Sequence, residues 1–198
     1  MATAALAPAN LIKTDRELAE RHRYGDVDAF DEVYERFESM VYNLALRMGG
    51  DEAEAADCAQ ETFLRVYRHL GGFRGKSNLK TWVFRIALNC CRSRYRKRAT
   101  RQKYMDSSGD EVIDRVADEA RNPEQRAAAA ELSLQVQRAL AEVAPVYREA
   151  VILRDLQGLT YDEMASVLGV RLGTVRSRIA RGREQLRHLM KPERETES

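Results

Sequence analysis

Apolar residues recur every three or four positions through most of this chain, the spacing that places them on one face of a helix. The first stripe predicts a helix that ends at Gly49 and Gly50. The second predicts a helix between Asp51, which is suited to cap its start, and Gly71. The two stripes comprise Val27, Phe30, Val33, Tyr34, Phe37, Val41, Leu44, Ala45 and Met48, then Ala56, Ala59, Phe63, Val66, Tyr67 and Leu70.

A third helix is predicted from Leu79, and its two faces differ in chemistry. Three helices of these lengths can share one core, so residues 15–100 are predicted to form a helical bundle. Residues 1–14 are Ala-rich without an amphipathic period and are predicted to be disordered. The apolar face of the third helix carries Leu79, Val83, Ile86, Ala87 and Cys90, and the opposite face carries Trp82, Arg85, Asn89, Arg92 and Arg96.

A second helical block is predicted over residues 126–191. Its first stripe is Leu132, Val136, Leu140 and Val143, and its second, opened by Pro145, is Tyr147, Val151 and Leu156. Thr160 and Glu163 form the pattern of a capping box that opens a short helix, which ends at Gly169. A last helix follows over about residues 174–190, with Val175, Ile179, Gly182, Leu186 and Leu189 inward.

The predicted fold is therefore all-α, with two small helical domains joined by a flexible linker. The linker is assigned to residues 101–125, which are polar and contain Ser-Ser-Gly, and a short helix is predicted near residues 112–116. Residues 192–198 are assigned to a tail. Gly182 lies within a packed stripe, where the absence of a side chain permits a neighbouring helix to approach closely.

The formal net charge of +2 hides a strong variation in sign along the chain. Residues 62–105 contain thirteen Lys or Arg and no Asp or Glu, whereas residues 14–61 contain fourteen acids and five Lys or Arg. Residues 106–124 are acidic again, and residues 171–191 return to basic with seven Lys or Arg. Two basic segments separated by acidic ones predict two contacts with one polyanion.

The acid-free stretch has the composition of a surface for single-stranded nucleic acid. Its cations can meet phosphates, and its aromatic side chains can stack on bases. The amide of Asn89 on the basic face can hydrogen-bond a base edge. The alternative is a solvated charged face, with Trp82 as an ordinary core residue. The aromatic residues of the stretch include Phe73, Trp82, Phe84 and Tyr95.

The last two predicted helices form the pattern of a helix-turn-helix, whose second helix fits the major groove of duplex DNA. Arg176 and Arg181 face outward together with Ser177 and Ala180. Either arginine can pair with guanine through two hydrogen bonds or hold a phosphate. A helical hairpin that serves only packing is the alternative.

Several other classes of function find little support in the sequence. No run approaches the roughly 20 apolar residues of a membrane span, and the N-terminus lacks a basic leader, so a cytoplasmic protein without membrane insertion is expected. No metal, cofactor or catalytic site is predicted, because the three histidines are scattered and no phosphate-binding glycine loop occurs. Cys58, Cys90 and Cys91 suit a reducing compartment; redox sensing by them is a hypothesis.

Four stretches resemble, in this order, the signature motifs of bacterial sigma factors. They are Asp57-Cys-Ala-Gln-Glu-Thr-Phe63, Phe73-Arg-Gly75, Thr81-Trp-Val-Phe-Arg-Ile-Ala87 with Asn89, and Gly173-Thr-Val-Arg-Ser-Arg-Ile179. The resemblance covers roughly residues 26–190. With no room for the extra domains of larger members, the chain resembles the two-domain extracytoplasmic-function group.

The resemblance implies a non-enzymatic subunit that binds core RNA polymerase, recognises the −35 and −10 promoter elements and nucleates promoter melting. It also implies inhibition by an anti-sigma protein. The residues that match core-polymerase contacts are Asp57, Gln60, Glu61 and Phe63. Those that match −10 contacts are Phe73, Arg74, Lys76, Ser77, Asn78, Trp82, Arg85, Asn89 and Arg92, and those that match −35 contacts are Arg171, Thr174, Arg176, Ser177, Ala180, Arg181 and Arg183.

Two alternatives come from other classes of protein. A dimeric helix-turn-helix regulator of duplex DNA would use the N-terminal bundle for dimerisation or ligand binding, but it has no need of an acid-free basic helix. An RNA-binding protein would use the same stacking residues, but it leaves the helix-turn-helix unexplained.

Overall fold

The computed structural model describes residues 8–49, 51–104 and 123–191 of the chain. All regular structure within these ranges is helical, as predicted. A π-helical turn, Ile152–Leu156, continues the sixth helix. The helices are α1 (Pro8–Arg23), α2 (Asp28–Arg47), α3 (Glu52–Leu70), α4 (Leu79–Tyr104), α5 (Pro123–Glu142), α6 (Pro145–Val151), α7 (Tyr161–Leu168) and α8 (Leu172–Leu189).

Helices α1 to α4 form the N-terminal half, in which most of the predicted stripe of α2 between Val33 and Met48 is buried. The Asp51 carboxylate accepts a hydrogen bond of 2.7 Å from the Glu54 amide, which confirms the predicted cap of α3. Four residues that the stripes place inward, Val27, Tyr34, Ala56 and Tyr67, are instead exposed. The side of α3 that faces the core also includes Thr62, whose hydroxyl is satisfied by the Cys58 carbonyl at 2.7 Å.

Helix α1 was not predicted. Residues 1–7 lie outside the described residues, but the chain is helical from Pro8, within the stretch that was expected to be disordered. Leu18 and Ala19 are buried, and so is the carboxylate of Asp15. Its buried side includes an acid beside two apolar residues, and an apolar stripe alone does not identify such a helix.

Helices α5 to α8 form the C-terminal half. The capping box of Thr160 and Glu163 is present, and Gly169 ends α7 with a φ of +68°, so both predictions are confirmed. Leu140 of α5 and Val143, which directly follows the helix, are buried, whereas Leu132 is exposed. Most of the predicted linker and the whole of the predicted short helix near residues 112–116 lie outside the described residues, as does the tail over residues 192–198.

The two halves are in contact, and their buried apolar side chains form one continuous cluster. Arg148 of α6 is only 3% exposed and lies at this junction. Its guanidinium donates to the carbonyl oxygens of Ala141 and Val143 in its own half, and to the Met48 carbonyl of the N-terminal half at 2.8 Å. One buried cation therefore satisfies carbonyls at the C-terminal ends of both α5 and α2.

Gly182 lets α8 pack directly against α6, as predicted from its place in the stripe. A Cβ atom at this position would lie 2.5 Å from Cγ2 of Val151 and 2.8 Å from the carbonyl oxygen of Tyr147. The second neighbour is backbone and cannot rotate away. The packing that this close approach permits therefore outweighs the poor helix propensity of glycine, which costs about 1 kcal/mol relative to Ala.

We predict that Gly182→Ala lowers the free energy of unfolding by about 1–3 kcal/mol, because the helices must move apart. Gly173→Ala is the matched control, since a Cβ there meets no atom within 4 Å. It should be neutral or stabilising by up to about 1 kcal/mol. Urea denaturation followed by circular dichroism measures both. Equal stabilities for the two variants would show that the α6–α8 contact can relax.

Candidate nucleic-acid interface

Helix α4 separates an apolar face from a basic face, as its sequence predicted. Leu79, Val83 and Ala87 are completely buried. On the other side Arg85 and Asn89 are exposed, and Trp82 and Arg92 are half-buried. Four of the predicted −10 contacts therefore lie together on one side of a single helix.

The loop before α4 lies beside this face, but it differs from the prediction in one respect. Phe73 is 6% exposed and its ring packs edge-on against Trp82, with 5.6 Å between centroids. Phe84 is completely buried. The proposal that these two rings stack on bases was therefore wrong, because both belong to the core. Trp82 is half-buried, and Tyr95 is 41% exposed.

Two side chains fix the start of α4. Asn78 Oδ1 accepts a hydrogen bond of 2.7 Å from the Thr81 amide, so a predicted −10 residue is also a helix cap. Asp15 Oδ2 accepts one of 2.7 Å from the Leu79 amide, and its other oxygen pairs with Arg36 at 2.9 Å. Sequence reasoning missed Asp15, because a fully buried carboxylate 64 positions from its partner leaves no local signal.

The remaining loop residues differ in accessibility. Arg74 and Lys76 are exposed, while Ser77 and Asn78 are half-buried. Gly75 has a φ of +64°, and a Cβ there would lie 2.2 Å from Nε of Arg16, so the α1 side chain lies directly over the loop. The positive φ favours glycine at this position, and a Cβ would also displace the Arg16 side chain.

The helix-turn-helix exposes the residues that the sequence placed outward. Arg176, Ser177, Ala180 and Arg181 are exposed on α8. The guanidinium of Arg181 also donates to the hydroxyl of Tyr147 at 3.1 Å. These four residues form a continuous face of one helix, the geometry that major-groove recognition requires.

The flanking −35 candidates are less uniform. Arg171 precedes α8 and is exposed, but its side chain makes no capping hydrogen bond. Thr174 is half-buried. Arg183 forms two hydrogen bonds with Asp155, of 2.9 and 2.5 Å, which raise the pKa of its guanidinium. Arg183 is therefore directed towards the π-helical turn, away from the exposed face.

The predicted polymerase contacts lie on α3, beside an open groove between α2 and α3. The groove has a volume of about 880 Å³. Gln60 and Phe63 line it, Asp57 is exposed, and Glu61 pairs with Arg65 at 2.8 Å. Aromatic side chains line much of the groove: Phe30, Tyr34, Tyr42, Phe63 and Tyr67.

The cysteines lie where α3 crosses α4. The sulfur atoms of Cys58 and Cys91 are 3.4 Å apart, and all three thiols are free. The hydrogen bond with Cys91 lowers the pKa of Cys58, whereas the same contact and burial raise the pKa of Cys91.

No group of side chains that could hold a metal occurs among the described residues. Among those residues there is also no helix of the length and apolarity that crossing a membrane requires.

Comparison with known proteins decides the family. The family model for sigma-70 region 2 matches residues 33–101, and that for sigma-70 region 4 matches residues 133–186. The RNA polymerase sigma-H factor of Pseudomonas aeruginosa is 34% identical over 182 residues, which are 90% of this chain and 94% of that protein. The ECF RNA polymerase sigma factor SigE of Mycolicibacterium smegmatis is 40% identical over 85% of this chain and 64% of that protein.

The chain belongs to the extracytoplasmic-function group of the sigma-70 family. This sigma factor is therefore a promoter-specificity subunit of RNA polymerase. Its fold is similar to that of the sigma factor RpoE of Bartonella quintana, solved in complex with the anti-sigma factor NepR, with a TM-score of 0.69 and 26% identity. That similarity covers 85% of this chain and 100% of the other. Family membership decides against the stand-alone regulator and the RNA-binding protein.

We predict that Asp15→Ala lowers the free energy of unfolding by about 1–3 kcal/mol, because it leaves the Leu79 amide buried without an acceptor. Glu17→Ala, an exposed change on the same helix, should stay within about 0.5 kcal/mol of the parent. Chemical denaturation measures both. A stability loss that is the same for the two variants would mean that Asp15 does not fix the start of α4.

Proposed function

We propose that this sigma factor divides promoter recognition between the basic face of α4 and the exposed face of α8. The observation that carries the proposal is the two-sided character of α4, in which an apolar face anchors the helix and a face without acids remains for phosphates and bases. Trp82 and Asn89 supply a ring for stacking and an amide for a base edge. We assign the −10 element to this face.

The −35 element is assigned to α8. Arg176 and Arg181 each present a guanidinium that can pair with guanine, an interaction that discriminates by about 1–3 kcal/mol. Ser177 and Ala180 lie between them on the exposed side. Arg171 and Thr174 at the start of the helix are assigned to phosphates, where backbone amides also point. The assignment of Arg183 to the −35 element has the least support, because Asp155 already pairs with its guanidinium.

Promoter melting in this proposal uses binding energy alone. Unstacking a base costs a few kcal/mol, which is recovered when the extruded base enters a site that accepts only that state. The half-buried Ser77 and Asn78 offer a hydroxyl and an amide for such a base, and the exposed Arg74 and Lys76 can hold the adjacent phosphates. No chemical step is required of the chain, so we infer that it is not an enzyme.

We assign the groove between α2 and α3 to core polymerase. Its aromatic lining offers the large apolar area that is typical of the centre of an interface. Gln60, Asp57 and Glu61 lie at or beside its edge and can form the polar rim. The resemblance of this segment to the part of sigma factors that docks on the clamp helices of the largest polymerase subunit supports the assignment.

Two further assignments follow from the family. Because RNA polymerase and promoter DNA occupy the bacterial cytoplasm, we infer that this sigma factor acts there. The Bartonella relative is bound by an anti-sigma factor, and we infer that an inhibitor of the same kind controls this chain.

The test begins with transcription of a supercoiled genomic library by core RNA polymerase, with and without the purified sigma factor. Sequencing of the start sites gives the −35 and −10 elements that the holoenzyme uses. One such promoter then serves as template for the variants below. The division proposed here would be contradicted if the purified sigma factor protected duplex DNA by itself but core polymerase used no new start sites in its presence.

We predict that Trp82→Ala and Asn89→Ala impair open-complex formation by about tenfold or more while leaving −35 binding nearly unchanged, because stacking and base contacts are each worth about 1–3 kcal/mol. Arg176→Ala and Arg181→Ala should do the reverse. Permanganate footprinting of the melted strand and gel-shift assays on a duplex −35 fragment separate the two steps. If both pairs of variants affect both steps equally, the division of labour is wrong.

We predict that Gln60→Arg weakens the binding of core polymerase by at least about tenfold, since it places a cation at the edge of the groove and disturbs a close-packed interface. Gln135→Arg introduces the same charge at an exposed position of α5 and should leave the affinity within about twofold. Fluorescence anisotropy with labelled sigma factor measures both. Parent-like affinity of Gln60→Arg would exclude this edge of the groove from the polymerase interface.

A further inference from the structure

The three cysteines lie near the crossing of α3 and α4, but their surroundings differ. Cys58 of α3 and Cys91 of α4 are 33 positions apart in the sequence, and packing of the two helices brings their sulfur atoms within 3.4 Å of each other. Both residues are buried, at 3% and 6% exposure, and both thiols are free. Cys90 lines a separate cleft together with Arg65 and Lys97.

The separation of the two sulfur atoms is close to what a covalent bond requires. A disulfide has an S–S length of about 2.05 Å, so the sulfur atoms of Cys58 and Cys91 would have to approach by about 1.4 Å. Rotations of about 30° about the two Cα–Cβ bonds carry only a modest cost and can supply a movement of this size. The pair can therefore be joined while α3 and α4 stay packed against each other.

A small cavity beside the pair gives a reagent access to it. The cavity has a volume of about 30 Å³, and both Cys58 and Cys91 line it. Tyr95 and Arg98, which are exposed, also line it, and so does Arg94. A cavity that holds one water needs at least about 10–15 Å³. This one has room for a molecule with two oxygen atoms, such as hydrogen peroxide.

The surroundings give the two thiols different roles. The hydrogen bond from Cys91 and the charge of Arg94 lower the pKa of Cys58, although burial acts in the opposite direction. The contact with Cys58 and burial raise the pKa of Cys91 well above its usual range. Burial also raises the pKa of Cys90. Because the thiolate is the nucleophilic form, Cys58 is the thiol of the three that is suited to attack an oxidant.

We propose that Cys58 and Cys91 are a redox-modification site, at which a small hydroperoxide converts the two thiols into a disulfide that joins α3 to α4. The sequence alone treated the three cysteines alike, whereas the structure selects one pair and leaves Cys90 out. The inference is independent of the assignments to core polymerase and to the promoter elements. Its test can therefore fail without affecting the proposed function.

The reaction proceeds in two steps, written here for hydrogen peroxide. The Cys58 thiolate attacks one oxygen atom, so that an S–O bond forms, the O–O bond breaks, and the departing hydroxide takes up the proton that Cys58 has lost. The Cys91 sulfur then attacks the sulfenic acid on Cys58. The S–S bond forms, the S–O bond breaks, and the second hydroxide leaves as water with the Cys91 proton. Two electrons pass from the thiols to the peroxide, which becomes two molecules of water.

The disulfide should stabilise the N-terminal half. A cross-link between positions 33 residues apart restricts the unfolded chain. Trp82 is the single tryptophan of the chain and lies in α4, so its fluorescence follows the unfolding of this half. The midpoint of thermal unfolding should be higher in the oxidised protein by about 5 °C or more. Dithiothreitol should reverse the shift.

The test treats the reduced full-length chain with a small excess of hydrogen peroxide. Titration of the denatured protein with a thiol-reactive dye should show that two of the three thiols disappear, and non-reducing electrophoresis should show a monomer. Cys90 and Cys91 fall in the same tryptic peptide, because no Lys or Arg separates them. The cross-link is therefore mapped by mass spectrometry in Cys90→Ala, which should lose both of its thiols and keep the shift in the unfolding midpoint.

Two further variants separate the roles of the thiols. Cys91→Ala should stop the reaction at the sulfenic acid, which dimedone traps on Cys58. Cys58→Ala should keep both of its thiols and give no dimedone adduct. Far-ultraviolet circular dichroism of the reduced proteins checks that each variant folds. If either of these two variants does not fold, the cross-link mapped in Cys90→Ala decides the result.

Three results would overturn the inference. The first is a parent chain that keeps all three thiols while free cysteine in the same solution is oxidised. The second is a disulfide that Cys90→Ala abolishes, since that would place Cys90 in the cross-link. The third is a dimedone adduct on Cys91 in Cys58→Ala but none on Cys58 in Cys91→Ala, which would reverse the roles. A cross-link that leaves the unfolding midpoint unchanged would contradict the stabilising effect.

Discussion

The absence of acids from α4 is the constraint on which much of the structure depends. A helix with many arginines and no Asp or Glu cannot form the pairs between neighbouring turns that usually balance such charge. The acids must come from other helices. Asp57 and Glu54 of α3 pair with Arg94 and Arg98, at 3.3 and 3.0 Å, and Glu149 of α6 pairs with Arg92. The alternation of acidic and basic segments along the sequence thus becomes charge complementarity between adjacent helices.

These pairs differ in physical consequence. Those between α3 and α4 are half-exposed, and such pairs contribute about 0–1 kcal/mol each because solvent screens them. They orient α4 on α3 without adding much stability. Glu149 is almost completely buried, and a buried carboxylate that loses its partner is costly unless water reaches it. The Arg92–Glu149 pair therefore holds firmly while the halves are in contact, and both ions recover their hydration when the halves separate.

The sequence predicted those features that local patterns encode. The capping box at Thr160, the cap at Asp51 and the close approach at Gly182 each follow from a few neighbouring residues, and all three are present. The features that it missed depend on tertiary contacts. Asp15 acts on Leu79 from another helix, 64 positions away in the sequence. The burial of Phe73 and Phe84 depends on which sides of the loop and of α4 the other helices cover. Composition identified the basic face, but it could not tell a stacking ring from a core ring.

The interface between the halves was the least accessible to sequence reasoning. Arginine is usually found at the surface. Arg148 is nevertheless buried, because carbonyl groups from two helix ends converge on its guanidinium. Most of the partners that bridge the halves are backbone carbonyls, hydroxyls or amides, which carry no periodic signal. These polar contacts supplement the buried apolar cluster that runs through both halves, and water can satisfy the same polar groups when they are exposed. The polar contacts therefore mainly determine how the two halves are positioned, whereas the shared apolar cluster supplies most of the free energy that holds them together.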